Sequence, residues 1–127
     1  MKFLAASGKP LADPALAAEY KAARAFGNVR VGDSHLFIRS GMRNYALEHS
    51  GIRRCYRRVM RVPMKMCCGS GSLDVEHLVV EGDSGELAQV QLPGTRAAVA
   101  LMELLKERMP EVEYALPPRP DAREVRA

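Results

Sequence analysis

The sequence predicts an α+β domain made of a helix, about five to seven short antiparallel strands, and one long closing helix. Three observations carry this expectation. A helix start stands at Asp13-Pro14, an interrupted period-two apolar pattern runs from Val29 to Leu92, and an apolar stripe of helical period lies before Pro110. A run of strands followed by a helix points to a sheet closed by that helix or to a partly open barrel, and away from Rossmann-type alternation. At 127 residues the chain has material for one hydrophobic core.

Phe3-Leu4 fits a short strand ahead of the loop residues Ser7, Gly8 and Pro10. Asp13 offers an acceptor at N-cap and Pro14 suits the first helical position, so a helix is expected through PALAAEYKAARAF, with Gly27-Asn28 as a left-handed stop. Leu16, Tyr20, Ala23 and Phe26 form its apolar face, while Glu19, Lys21 and Arg24 point away. From Val29 the period becomes two. Val29 and Val31 alternate with polar neighbours up to Gly32-Asp33. His35–Arg39 reads as a buried strand, Ser40-Gly41 as a tight turn and Met42–Glu48 as the return strand.

Ser50-Gly51 punctuates the chain again, and Ile52–Val62 is the third long run. Pro63 and the following MKMCC are expected to end regular pairing before a turn at Gly69–Gly71. Leu73–Glu81 puts Leu73, Val75, His77 and Val79 on one side, Gly82–Gly85 is a hairpin loop, and Glu86–Leu92 returns with Ala88, Val90 and Leu92 inward. Thr95 is expected to cap the last helix, whose stripe is Ala98, Leu101, Met102, Leu105 and Met109. Residues 116–127 carry three prolines among alternating charges and are expected to form an extended or disordered tail.

The HLFIRSG strand and turn, the hairpin ending at SGIRR, the stretch LVVEGDSGELAQVQL and the closing amphipathic helix together resemble bacterial pleckstrin-homology-like (PH-like) domains. The resemblance covers Asn28 to Glu113 and implies a strongly bent antiparallel sheet plugged at one end by the C-terminal helix. It divides the chain into an N-terminal segment and helix (1–27), a PH-like domain (28–115) and a tail (116–127). It also implies a binding scaffold without catalysis, which bacterial members often use for assembly. Arg39 and Arg43 bracket the first turn, but the Lys-x(n)-Arg-x-Arg pattern of phosphoinositide-binding members is absent.

The chain is 47% apolar and 27% charged, an ordinary globular balance, and without tryptophan its core must be mainly aliphatic. Its apolar runs are too short to span a membrane, and Phe3–Ala6 is too short for the core of a signal peptide, so a cytoplasmic location is expected. Three cysteines, two of them adjacent, do not make a disulfide framework. Between Arg39 and Lys65 stand eight basic residues against the single acid Glu48. The net charge of the whole chain is +4, so everything outside this stretch is net acidic.

Arginine forks suit phosphate and carboxylate, and the candidate anion contacts are Arg39, Arg43, Arg53, Arg57 and Arg61. On strand 52–62, Arg54 and Arg58 share a face with Ile52, Tyr56 and Met60, while Arg53, Arg57 and Arg61 share the other. A bulge or a switch of partner sheet near Cys55-Tyr56 would sort these residues better. A second reading has the arginines solvate an edge strand and pair with Glu76, Glu81 and Glu86. Met60, Met64, Met66, Cys55, Cys67 and Cys68 are soft ligand types, but they lack zinc spacing and suit packing better than metal.

GSGS at 69–72 lacks a phosphate-loop lysine and Glu76-His77 is not HExxH, so no catalytic residue, cofactor or metal is expected. The expected function is a noncatalytic interaction module that self-associates or binds a protein, using an edge strand or the N-terminal helix. Nucleic acid or an anionic membrane surface, held by the Arg-rich strand 52–62, is the alternative partner. A small-molecule carrier barrel is a third class.

Overall fold

The computed structural model describes residues 2–66 and 69–114, so Cys67, Cys68 and the expected tail lie outside the described residues. The fold is α+β, with two α-helices and two sheets. In the first sheet the strand order is β2 (Pro10–Leu11), β1 (Phe3–Leu4), β6 (Arg43–Glu48), β5 (His35–Ser40), β4 (Val29–Val31) and β3 (Arg24–Phe26). All its pairings are antiparallel except β1 with β6. A three-stranded antiparallel sheet of β7 (Arg54–Met66), β8 (Gly69–Gly82) and β9 (Gly85–Gln91) follows.

Among the described residues there is no closed barrel, and nine strands replace the expected five to seven. The break has a local cause. The outer edge of β6 is already taken by β1, while β7 meets the closing segment instead, with Cys55 N–H donating to Glu113 O at 2.9 Å and Glu113 N–H to Arg53 O at 3.0 Å. The stretch 2–27 supplies β1, β2 and β3 to the first sheet.

The first helix, α1 (Ala15–Ala22), is shorter than expected. Ala23 is already extended, and Arg24–Phe26 pairs with Val29–Val31 across Gly27-Asn28. The glycine expected to end a helix turns a hairpin instead, with φ +63°, and Phe26 is thereby buried in the main core. Burial of the aromatic ring outweighs the helix propensity of the alanine-rich segment. Asp13 Oδ1 accepts from Ala15 N–H at 3.0 Å, so it serves the helix start as expected.

The main core lies between the two sheets and α2 (Thr95–Arg108). Val29, Val31, Leu36, Ile38 and Leu47 come from the first sheet, Leu78, Val80 and Val90 from the second, and Ala98, Leu101 and Leu105 from α2. The outer face of the first sheet has its own cluster, in which Phe3, Phe37 and Ala46 are covered by Leu16 and Tyr20 of α1. Sheet alternation explains this, because Phe37 points away from Leu36 and Ile38 and needs a second layer.

Four further expectations are corrected. β7 runs through Pro63, which an edge strand tolerates because one side of it need not donate to a ladder. The irregular register falls between Val80 and Glu81, and β7 pairs with β8 without a shift. On β8 the core face is Leu78 and Val80, whereas Leu73 is exposed and His77 half-buried on the opposite face. Thr95 opens α2 without capping it, its hydroxyl donating to Glu76 Oε2 at 3.0 Å.

Candidate functional site

The Arg-rich stretch becomes the first rows of β7, and the register with β8 decides what its cations meet. Arg54 stands opposite Glu81 and Arg61 opposite Asp74, so oppositely charged side chains face each other across the pair. Arg61 Nε reaches Asp74 at 3.1 Å, and Arg54 lies 2.6 Å from Glu113 and 3.8 Å from Glu81. Arg57 stands opposite Leu78 and forks diagonally onto Glu76, with Nε and Nη2 at 3.0 and 2.8 Å from the two carboxylate oxygens. Arg58 lies 3.8 Å from Glu86 and donates to Gln89, and Arg53 lies 2.7 Å from Asp83. Each arginine from Arg53 to Arg61 therefore has a carboxylate partner, and the partners include Glu76, Glu81 and Glu86.

The Arg57–Glu76 pair is the buried one. Glu76 is only 6% exposed, at the point where β8 passes the start of α2. The Arg57 guanidinium holds its carboxyl below the ordinary range; burial opposes this, and the Thr95 hydroxyl adds to it. Arg57 and Arg61 lie on the core-side face of β7 and Arg58 on the other, as the alternation predicts. Arg39 and Arg43 sit apart from them, at the β5–β6 turn of the other sheet, where Arg39 Nε donates to Gly41 O at 3.4 Å. Among the described residues neither makes an ion pair.

Beyond the end of β9 the β7–β8 hairpin continues, and from Met60↔Val75 to Met66↔Gly69 seven rows have no third strand among the described residues. At about 3.3 Å per residue this ribbon is about 23 Å long. It exposes Met60 (41%) and Leu73 (51%) on one face, and Val59 (52%) is exposed on the other face in the row just before it. Cys55 is fully buried at the other end of β7, and burial pushes its thiol up to about 12.

A third constellation was invisible to the sequence reading. Glu19, expected to point to solvent, turns its carboxylate into the β4–β5 turn. Its Oε2 accepts from Ser34 N–H at 2.8 Å and His35 N–H at 2.7 Å, and its Oε1 lies 2.9 Å from His35 Nδ1. Burial pushes the Glu19 carboxyl up, but these three donors outweigh it and leave it below its ordinary value. Gly32 makes room for the arrangement, since a Cβ there would lie 2.4 Å from Glu19 Oε2. The available signal was Gly32 followed by Asp33-Ser34-His35, a turn with donors to offer.

Among the described residues no three His, Cys, Asp or Glu side chains group as a metal site requires, and no helix is long and apolar enough to cross a membrane. Compared with protein-family models, curated proteins and solved structures, the chain finds no match.

Proposed function

We propose that the chain is a noncatalytic interaction module of PH-like type, which self-associates through the β7–β8 ribbon. The observation that carries the reading is the seven-row hairpin exposing Met60 and Leu73 on one face. A two-stranded ribbon is marginal by itself in water and gains stability when a face is covered. The PH-like arrangement draws support from two sheets packed across one core with a C-terminal helix against it.

The ion pairs favour a second copy of the chain over a polyanion. Arg61 and Asp74 neutralise each other on one face of the ribbon, and on the face of Met60 and Leu73 the nearest arginine, Arg58, is paired with Glu86, so two ribbons can meet face to face without like-charge repulsion. A polyanion would have to displace those carboxylates first.

The test is sedimentation equilibrium on the full chain, compared with Met60→Glu and Leu73→Glu. A dimer that dissociates in both variants, with melting temperatures held, is the expected result. A wild-type chain that stays monomeric at high concentration, or variants that associate as tightly as wild type, overturns the reading.

A further inference from the structure

Between the β1–β2 hairpin, α1 and β6 lies a cavity of about 390 Å³, separate from the ribbon. Leu11, Leu16 and Leu87 line its apolar wall, and its polar side chains are Asp13, His35 and Glu48. Among the described residues its lining contains no lysine or arginine, although the chain as a whole is basic. We propose that this cavity binds a small organic cation, a primary ammonium on an apolar body, and that Glu19 orients His35 to receive it.

The argument begins with the imidazole. Glu19 Oε1 is a carboxylate oxygen and only accepts, so the proton between it and His35 Nδ1 belongs to the ring. In the neutral ring Nε2 is then a lone pair, and it makes no hydrogen bond among the described residues. Two backbone donors, Ser34 N–H and His35 N–H, fix the carboxylate that fixes the ring, so the tautomer is set by α1 and by the β4–β5 turn together.

The side-chain acceptors of this cavity are the carboxylates of Asp13 and Glu48, joined by Nε2 of His35 when its ring is neutral. A primary ammonium has three donors and no acceptor, which matches this set, whereas a carboxylate or phosphate ligand would meet repulsion. The volume lies within the ordinary range for small-molecule sites, and the leucines supply the apolar contact that such ligands need. The Glu19–His35 contact also ties α1 to the sheet, but Arg30 already does so, donating to Tyr20 O at 3.2 Å with its guanidinium over the Tyr20 ring.

The experiment is a methyl-detected NMR titration of the full chain with n-hexylamine, n-hexanol and hexanoate at about pH 8, where the amine is an ammonium. Saturable shifts at Leu11, Leu16 and Leu87 are expected with hexylamine, with hexanol and hexanoate weaker by about tenfold or more. Glu48→Lys reverses an exposed charge at the rim and is expected to weaken hexylamine by at least about tenfold while the remaining spectrum stays native. His35→Gln, checked by its melting curve, is expected to lower amine affinity selectively. The proposal is overturned if hexylamine gives no saturable shift, if hexanol or hexanoate binds equally well, or if Glu48→Lys leaves the affinity unchanged.

Discussion

Replacing Arg57 with alanine strands the carboxylate of Glu76, which is 6% exposed and among the described residues keeps only the Thr95 hydroxyl as a donor. Removing one partner of a fully buried ion pair costs about 3–5 kcal/mol. The Arg57 side chain is 34% exposed, so water reaches the pair, and screening reduces the expected cost to about 2–3 kcal/mol. At about 2.1 cal/mol/K of unfolding entropy per residue, this lowers the melting temperature by about 7–11 °C. The pH dependence gives a second signature. The folded pKa of Glu76 lies below its unfolded value of 4.5, so the pair contributes stability above that pH and loses it as pH falls through the folded pKa. In Arg57→Ala, protonation relieves the stranded charge, so the deficit against wild type is full near neutral pH and narrows below about pH 4.5. Calorimetry at neutral and acid pH reads both effects. A deficit under about 0.5 kcal/mol, or one that is the same at both pH values, refutes the assignment of Arg57 to the fold.

Three further outcomes follow from the packing. Gly27→Ala combines a left-handed φ of +63° with a Cβ 2.9 Å from Pro93 Cδ, and urea unfolding is expected to show a loss of about 2 kcal/mol. Tyr114→Phe removes the hydroxyl that lies 2.7 Å from both Leu105 O and Met109 O at the end of α2, and a loss of about 1–2 kcal/mol is expected in the same assay. Burial raises the Cys55 thiol to about 12, so iodoacetamide at neutral pH is expected to leave its peptide unmodified by mass spectrometry until the chain is unfolded.

The strands flanked by glycine turns were legible because a local signal fixes both their ends. The β5–β6 and β8–β9 hairpins lie close to where Ser40-Gly41 and Gly82–Gly85 put them. The stripe of α2 buries Ala98, Leu101, Met102, Leu105 and Met109, as its period requires. The end of α1 was not legible, because the alanine-rich segment favours a helix locally and only the tertiary burial of Phe26 selects the strand. The parallel partnership of β1 with β6 was hidden for a related reason. Phe3 pairs with Asn44, and no local pattern encodes a contact so distant along the chain.

The basic stretch shows how register transforms a charge pattern. Read along the chain, Arg53 to Arg61 is a block of five cations without an acid; read across the hairpin, Arg54 faces Glu81 and Arg61 faces Asp74. The sequence positions of those two pairs have the same sum, so one uninterrupted antiparallel register makes both. A slip of one residue would turn the arginines toward the opposite face from their carboxylates and would take either Cys55 of β7 or Leu78 and Val80 of β8 out of the core. Burial of Cys55, Leu78 and Val80 therefore enforces the ion pairing, and the ion pairing in turn disfavours slipped hairpins. The cations that stay outside this arrangement, Arg39 and Arg43, lie on the other sheet. If the chain binds a polyanion after all, Arg39→Ala with Arg43→Ala should weaken retention of labelled RNA more than Arg57→Ala does. Equal losses would mean that the β7 ion pairs open on binding.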